Sequence, residues 1–372
     1  MANIVDYLEW RSDITFDQVE FNVIDSLILC LNEYNSFNDL VDSQLCKKGV
    51  SLNQIYKDYY TKGNVPSRLH VNPMVNSQMM SLIEKTGQSK RYGQITATGY
   101  RNIIDLEKDE QFSAITYSWG KGFKRINYIV FRGTDDNIVG WKEDFNLTFK
   151  EVPAQKDALA YLEEVAARLP GKILIGGHSK GGNLEIYAAA RCSDKIRKRI
   201  GAIYNFDGPG FDEEFIQSEN FKKIKPIIHT FYPQESIVGM MMFHDDDYTI
   251  VESEKHLVDQ HDPFNWHVNR STFIERPDLN ESSKFVNETM NQWIYDLSPE
   301  QRELFVDALF SITDELGARK NEDLTENGFK SFFGAVKSVA KLDSKTRKAV
   351  FSTIRLLMKF AKENVSMLKN HH

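Results

Sequence analysis

One serine, two acids and one histidine fall in an order along this sequence that could run acyl transfer. Ser179 sits in Gly176-Gly177-His178-Ser179-Lys180-Gly181-Gly182. A serine hydroxyl attacks a carbonyl carbon once a base takes its proton, an acid orients that base and two donors hold the oxyanion. The acid has two candidates: Asp207, in Asp207-Gly208-Pro209-Gly210-Phe211, and Glu235, in Tyr232-Pro233-Gln234-Glu235-Ser236. Each follows an apolar strand-like run, and the C-terminal ends of parallel strands are where active sites form. Asp207 is favoured because its Gly-Pro-Gly continuation fixes a tight loop, although a turn or capping aspartate would look the same. His261 follows both acids, in Asp259-Gln260-His261-Asp262-Pro263, and is the expected base over His244, His256 and His267. His178 adjoins the serine and is expected to pack or shape the pocket.

The oxyanion needs donors from two places. Lys180 follows the serine, and its backbone N–H would lie at a helix N-terminus, where the dipole favours negative charge. The second donor is expected from Thr134, in Phe131-Arg132-Gly133-Thr134-Asp135-Asp136, with Trp141 and Asp144 shortly after. Gly133 would let the backbone come close. Arg132 has a structural reading as the partner of an acid such as Asp144.

The elements that must position these groups are legible from about residue 111. Lys172-Ile173-Leu174-Ile175 reads as a buried strand, and Asn183-Leu184-Glu185-Ile186-Tyr187-Ala188-Ala189-Ala190 as a helix. Strand, Gly-x-Ser-x-Gly, helix is the layout of a nucleophile elbow, in which positions two before and two after the serine tolerate little side chain. Further strands are expected at 112–119, 128–131, 202–206, 226–231 and 248–251, and helices at about 155–169 and 212–224. Alternation of the two across 127–231 predicts an α/β fold with a largely parallel sheet flanked by helices. Residues 1–60 read as mostly helical and 61–100 as irregular. Helical stretches are expected at 282–296, 299–316, 326–340 and 344–369. Three parts follow: an N-terminal segment at 1–100 packing on the core, an α/β core at 101–281 and a helical extension at 282–372.

Phe-Arg-Gly-Thr, then Trp-x-x-Asp, then Gly-His-Ser-x-Gly-Gly-Asn resembles the class 3 (fungal-type) lipases. In that resemblance Thr134 takes the place of their oxyanion serine or threonine. More closely, the chain resembles a bacterial family of uncharacterised α/β-hydrolase-like proteins related to those lipases. The matching landmarks are Asp6-Tyr7-Leu8-Glu9-Trp10, Phe131-Arg132-Gly133-Thr134, Gly177-His178-Ser179-Lys180-Gly181-Gly182-Asn183, Asp207-Gly208-Pro209-Gly210-Phe211, Ser236-Ile237-Val238-Gly239-Met240 and Gln260-His261-Asp262. The resemblance implies an α/β-hydrolase core and serine hydrolase activity. Class 3 lipases carry an aspartate in the loop after the strand at 226–231, where this chain has Glu235-Ser236. The acid therefore stays open between Asp207 and Glu235.

Bulk properties bound the rest. The 372 residues carry a formal charge of −7 and are 41% hydrophobic, which fits a folded globular protein and disfavours nucleic-acid binding. Cys30, Cys46 and Cys192 are few and widely spaced, so neither a disulfide frame nor a zinc site is expected. No cofactor or metal is implied, and the expected location is the cytoplasm. In the last helix Val350, Ile354, Leu357, Ala361 and Leu368 form an apolar stripe beside Lys345, Lys348, Arg355, Lys359, Lys362 and Lys369. Such a basic amphipathic helix could touch an anionic membrane, or serve as core or dimer interface. The function expected is hydrolysis of a small-molecule or lipid ester. Its alternative is an inactive hydrolase-like scaffold that binds a partner or a membrane.

Overall fold

Asparagines start the first two helices. Asn3 caps α1 (Ile4–Arg11) and Asn22 caps α2 (Val23–Asn32), each accepting first-turn N–H bonds. Asp6 and Asp25, three residues on, accept the N–H of the cap residue in return. These reciprocal bonds satisfy donors that a helix N-terminus otherwise leaves bare. α2 is apolar on nearly every side and buried from Ile24 to Asn32, as suits a helix enclosed in a core. Asp25 also takes both arms of Arg91, at 2.7 and 2.6 Å, and the Tyr92 hydroxyl at 2.5 Å. That buried cluster pins the N-terminal layer.

The computed structural model describes residues 1–65, 77–105, 107–108, 110–134, 143, 146–147, 150–245, 247–298, 300–302 and 347–348. After α2 come β1 (Val50–Ser51), α3 (Leu52–Tyr59), α4 (Ser77–Gln88), β2 (Thr96–Asp105), β3 (Glu110–Trp119) and β4 (Ile126–Phe131). Next are α5 (Pro153–Arg168), β5 (Lys172–His178), α6 (Lys180–Arg191) and β6 (Ile200–Phe206). Further on lie α7 (Glu213–Gln217), α8 (Glu219–Ile224), β7 (Ile228–Pro233), β8 (Tyr248–Val251), β9 (Val268–Asn269), β10 (Thr272–Phe273), β11 (Glu275–Arg276) and α9 (Glu281–Asp296).

Among the described residues nine strands form one sheet in the order β1-β2-β3-β4-β5-β6-β7-β8-β11. The pairings from β4 to β8 are parallel, and the others are antiparallel. The fold is thus α/β with a mixed sheet, whose parallel half is the stretch read from the alternating pattern. Side chains along β4 divide by parity: Tyr128 and Val130 join the layer of α2 and α4, while Ile129 and Phe131 join that of α5 and α6. This two-residue period feeds two cores from one strand.

Residues 77–100 depart from the irregular structure expected across 61–100. α4 buries Met79, Leu82, Ile83 and Thr86 at helical spacing within an otherwise polar run. β2 escapes recognition because it bends: its register shifts between Thr98 and Arg101, where Gly99 holds φ at +68°. The single helix expected around 212–224 is two, because Ser218 ends α7 and caps α8. The helical stretches expected at 299–316, 326–340 and 344–369 lie almost wholly outside the described residues, and so does the basic face of the last one. Among the described residues no helix is long and apolar enough to cross a membrane.

Candidate active site

β5 ends at His178 and α6 begins at Lys180, so the chain turns from strand to helix at Ser179. Ser179 holds φ 59° and ψ −133°, a region that side-chain-bearing residues seldom occupy unless their surroundings force it. The surroundings here are glycines. A methyl group on Gly177 would strike the Gly181 carbonyl, and one on Gly181 would strike the Phe131 carbonyl. Strand, helix and the end of β4 therefore meet with no room for a Cβ. Ser179 is half-buried, and its N–H donates to Phe206 O at 2.9 Å, tying the turn to β6.

Asp207 follows β6 and is buried, with φ at +52°. Its Oδ2 lies 2.6 Å from His261 Nδ1. Its Oδ1 accepts from the Ser236 hydroxyl at 2.5 Å and from the Gly239 N–H at 3.2 Å. With Nδ1–H donated to the carboxylate, His261 keeps its lone pair on Nε2, the tautomer a general base requires. Its side chain is 15% exposed. Glu235, the other candidate acid, points elsewhere: its Oε1 lies 3.3 Å from His256 Nδ1 and accepts from Asn280 Nδ2 at 2.7 Å. Of the competing histidines, His244 bonds the Tyr232 hydroxyl at 2.8 Å and Met241 O at 3.1 Å. His267 is buried, with Nδ1 3.7 Å from Glu252.

A second histidine holds the first. His178 Nε2 lies 2.9 Å from the His261 carbonyl, and Nδ1 lies 2.9 Å from the Tyr34 hydroxyl. A carbonyl only accepts, so Nε2 carries the proton and Tyr34 donates to Nδ1. Burial first, and the nearby His261 second, push the His178 pKa well below the ordinary imidazole value. The ring is therefore neutral at physiological pH. The two imidazoles lie face to face at a tilt, with centroids 4.6 Å apart and planes at 32°. His261 is thus seated beside the residue that precedes Ser179. Tyr34, just beyond α2 and 144 residues before His178, belongs to no motif that sequence reading could single out.

The first residues after β4 lie against the elbow. A methyl on Gly133 would come within 2.6 Å of His178 O and 2.8 Å of Ser179 Cβ, and would strike the Tyr34 hydroxyl. Thr134, the next residue, is buried. Lys180 is buried too, and its Nζ donates to Gln111 O and Glu143 Oε2, both at 2.9 Å. Arg132 donates to Asn102 Oδ1 at 3.0 Å, and its Nε lies 3.8 Å from Glu33 Oε2 at the end of α2. Asp144, the partner expected for Arg132, lies outside the described residues, as do Asp135, Asp136 and Trp141. Among the described residues no group of three or more His, Cys, Asp or Glu could hold a metal ion.

The sequence pattern of one family covers residues 86–311, more than half of the chain, and bears the description Mbeg1-like. The chain belongs to the Mbeg1-like family. The Mbeg1-like span includes Thr134, Ser179, Lys180, Asp207, Glu235 and His261, whereas Tyr34 comes from the segment before it. The chain is also similar to a deletion mutant of the Rhizomucor miehei lipase propeptide complex, at 15% identity and a TM-score of 0.33, over 57% of this chain and 73% of that one. The native complex gives 16% and 0.33, over 54% and 66%. M37 lipase gives 14% and 0.31, over 58% and 68%. No curated protein matches the Mbeg1-like chain in sequence.

Proposed function

We propose that this Mbeg1-like chain is a serine hydrolase that cleaves a carboxylic ester, of the esterase or lipase kind. One observation carries the reading. The Asp207 carboxylate meets His261 Nδ1 at 2.6 Å, and the same imidazole lies against His178, next to a serine on a strained strand-to-helix turn. Ser179 Oγ attacks the ester carbonyl while His261 Nε2 takes its proton. Asp207 keeps the imidazole in the needed tautomer and stabilises the imidazolium. The Lys180 N–H and Thr134 receive the negative charge that forms on the carbonyl oxygen. The tetrahedral intermediate collapses to an acyl-serine as His261 protonates the departing alkoxide. Water then repeats the cycle and releases the acid. Small-molecule and lipid esters are both within this chemistry.

The test is hydrolysis of p-nitrophenyl esters of graded acyl length by the wild type and by Ser179→Ala. The wild type turns over at least one ester, and the variant loses on the order of 10³-fold or more in kcat. Equal rates for the two proteins would end the assignment.

A further inference from the structure

We propose that the Lys180 side chain is a positioning residue for the oxyanion site, acting through its buried ion pair with Glu143. The inference rests on the hydrolase reading above and concerns a part of the residue that reading does not use, since that reading assigns a role only to the Lys180 backbone N–H. A lysine is a costly choice for this place. Both partners are 1% exposed, and removing two charges from water costs several kcal/mol per ion before their attraction offsets it. An apolar pair of similar volume would hold the fold as well or better. What the charged pair adds is a single geometry.

That geometry joins the parts on which the oxyanion donors depend. Lys180 Nζ donates to Glu143 Oε2 and to Gln111 O, both at 2.9 Å. Glu143 Oε2 also accepts the Gln111 N–H at 3.0 Å, and Oε1 accepts the Ala154 N–H at 3.0 Å. One carboxylate therefore ties the first residue of α6 to the start of β3 and to the first turn of α5. Gly133 lies against Ser179, the residue before Lys180. The ion pair thus fixes the first residue of α6 and with it the direction of the Lys180 N–H. An error of about 1 Å in such donors costs on the order of 10²-fold in rate.

Two variants separate positioning from folding. Lys180→Met leaves Glu143 buried without its cation and lowers both melting temperature and kcat. Lys180→Met with Glu143→Gln removes the stranded charge and recovers most of the melting temperature. Its kcat stays roughly 10- to 100-fold below wild type while KM changes less than about twofold. Its affinity for a boronic-acid transition-state analogue falls in step with kcat. A double variant that regains wild-type kcat along with its stability overturns the inference and leaves the hydrolase reading intact. A wild type that neither hydrolyses any ester nor reacts with a serine-directed phosphonate overturns both.

Discussion

At the scale of single residues, the candidate nucleophile and base could be picked out of the sequence, whereas the choice of acid and the contact that Tyr34 makes could not. Ser179 and Asp207 are marked by the glycines beside them, and His261 by following both in the chain order that α/β-hydrolases use. The choice between Asp207 and Glu235 was not legible, since both end a strand. It turns on side-chain direction: Asp207 meets His261, whereas Glu235 meets His256 and Asn280. The Tyr34–His178–His261 chain was hidden for a different reason. Its bonds join residues far apart in sequence, and one of them ends on a backbone carbonyl. Tyr34→Phe tests its weight. The change removes the hydroxyl that bonds His178 Nδ1, loosening the ring against which His261 rests. It should lower kcat/KM roughly fivefold to tenfold, or about 1 to 1.4 kcal/mol, the worth of one buried hydrogen bond. Steady-state kinetics decide it, and an unchanged kcat/KM would show that His261 is held without Tyr34.

At the scale of elements, the elbow is where sequence and structure constrain each other most tightly. Gly177 and Gly181 let β5, α6 and the end of β4 share one crowded crossing, and Ser179 takes a strained backbone as a result. Gly177→Ala should therefore destabilise by more than about 3 kcal/mol, because backbone atoms with no room to retreat face the new methyl. Urea unfolding measures it, and a loss under about 1 kcal/mol would mean that the crossing has slack. The parallel strands were legible because they are short apolar runs between turn signals, as at 128–131, 172–175 and 248–251. β2 and α4 were missed because a bulge interrupts the alternation of one and polar residues dilute the apolar stripe of the other. Propensity and period speak for elements that are regular; tertiary packing decides the rest.

For the whole molecule, charge inside the core links stability to pH. Glu110 opens β3 beside Gln111, and its pKa is pushed up to about 7, first by burial and then by Asp157. An unfolded glutamate titrates near 4.5. Between these values the folded chain binds the extra proton, so stability falls as pH rises through that window. Glu110→Gln removes this contribution. The melting temperature of the variant should gain on that of the wild type between about pH 5 and pH 8, and a constant difference across that range would contradict the shift. Composition carries no sign of this, because neither Glu110 nor Asp157 reveals its depth until β3 and α5 pack together. The proposed activity requires Ser179 to be a nucleophile, and a fluorophosphonate probe followed by peptide mass spectrometry tests that most directly. The wild type should carry one phosphonyl adduct on the peptide containing Ser179, and Asp207→Asn should acquire it far more slowly. An unmodified Ser179 peptide after prolonged exposure of folded wild-type protein, or an adduct on another residue, would contradict the account.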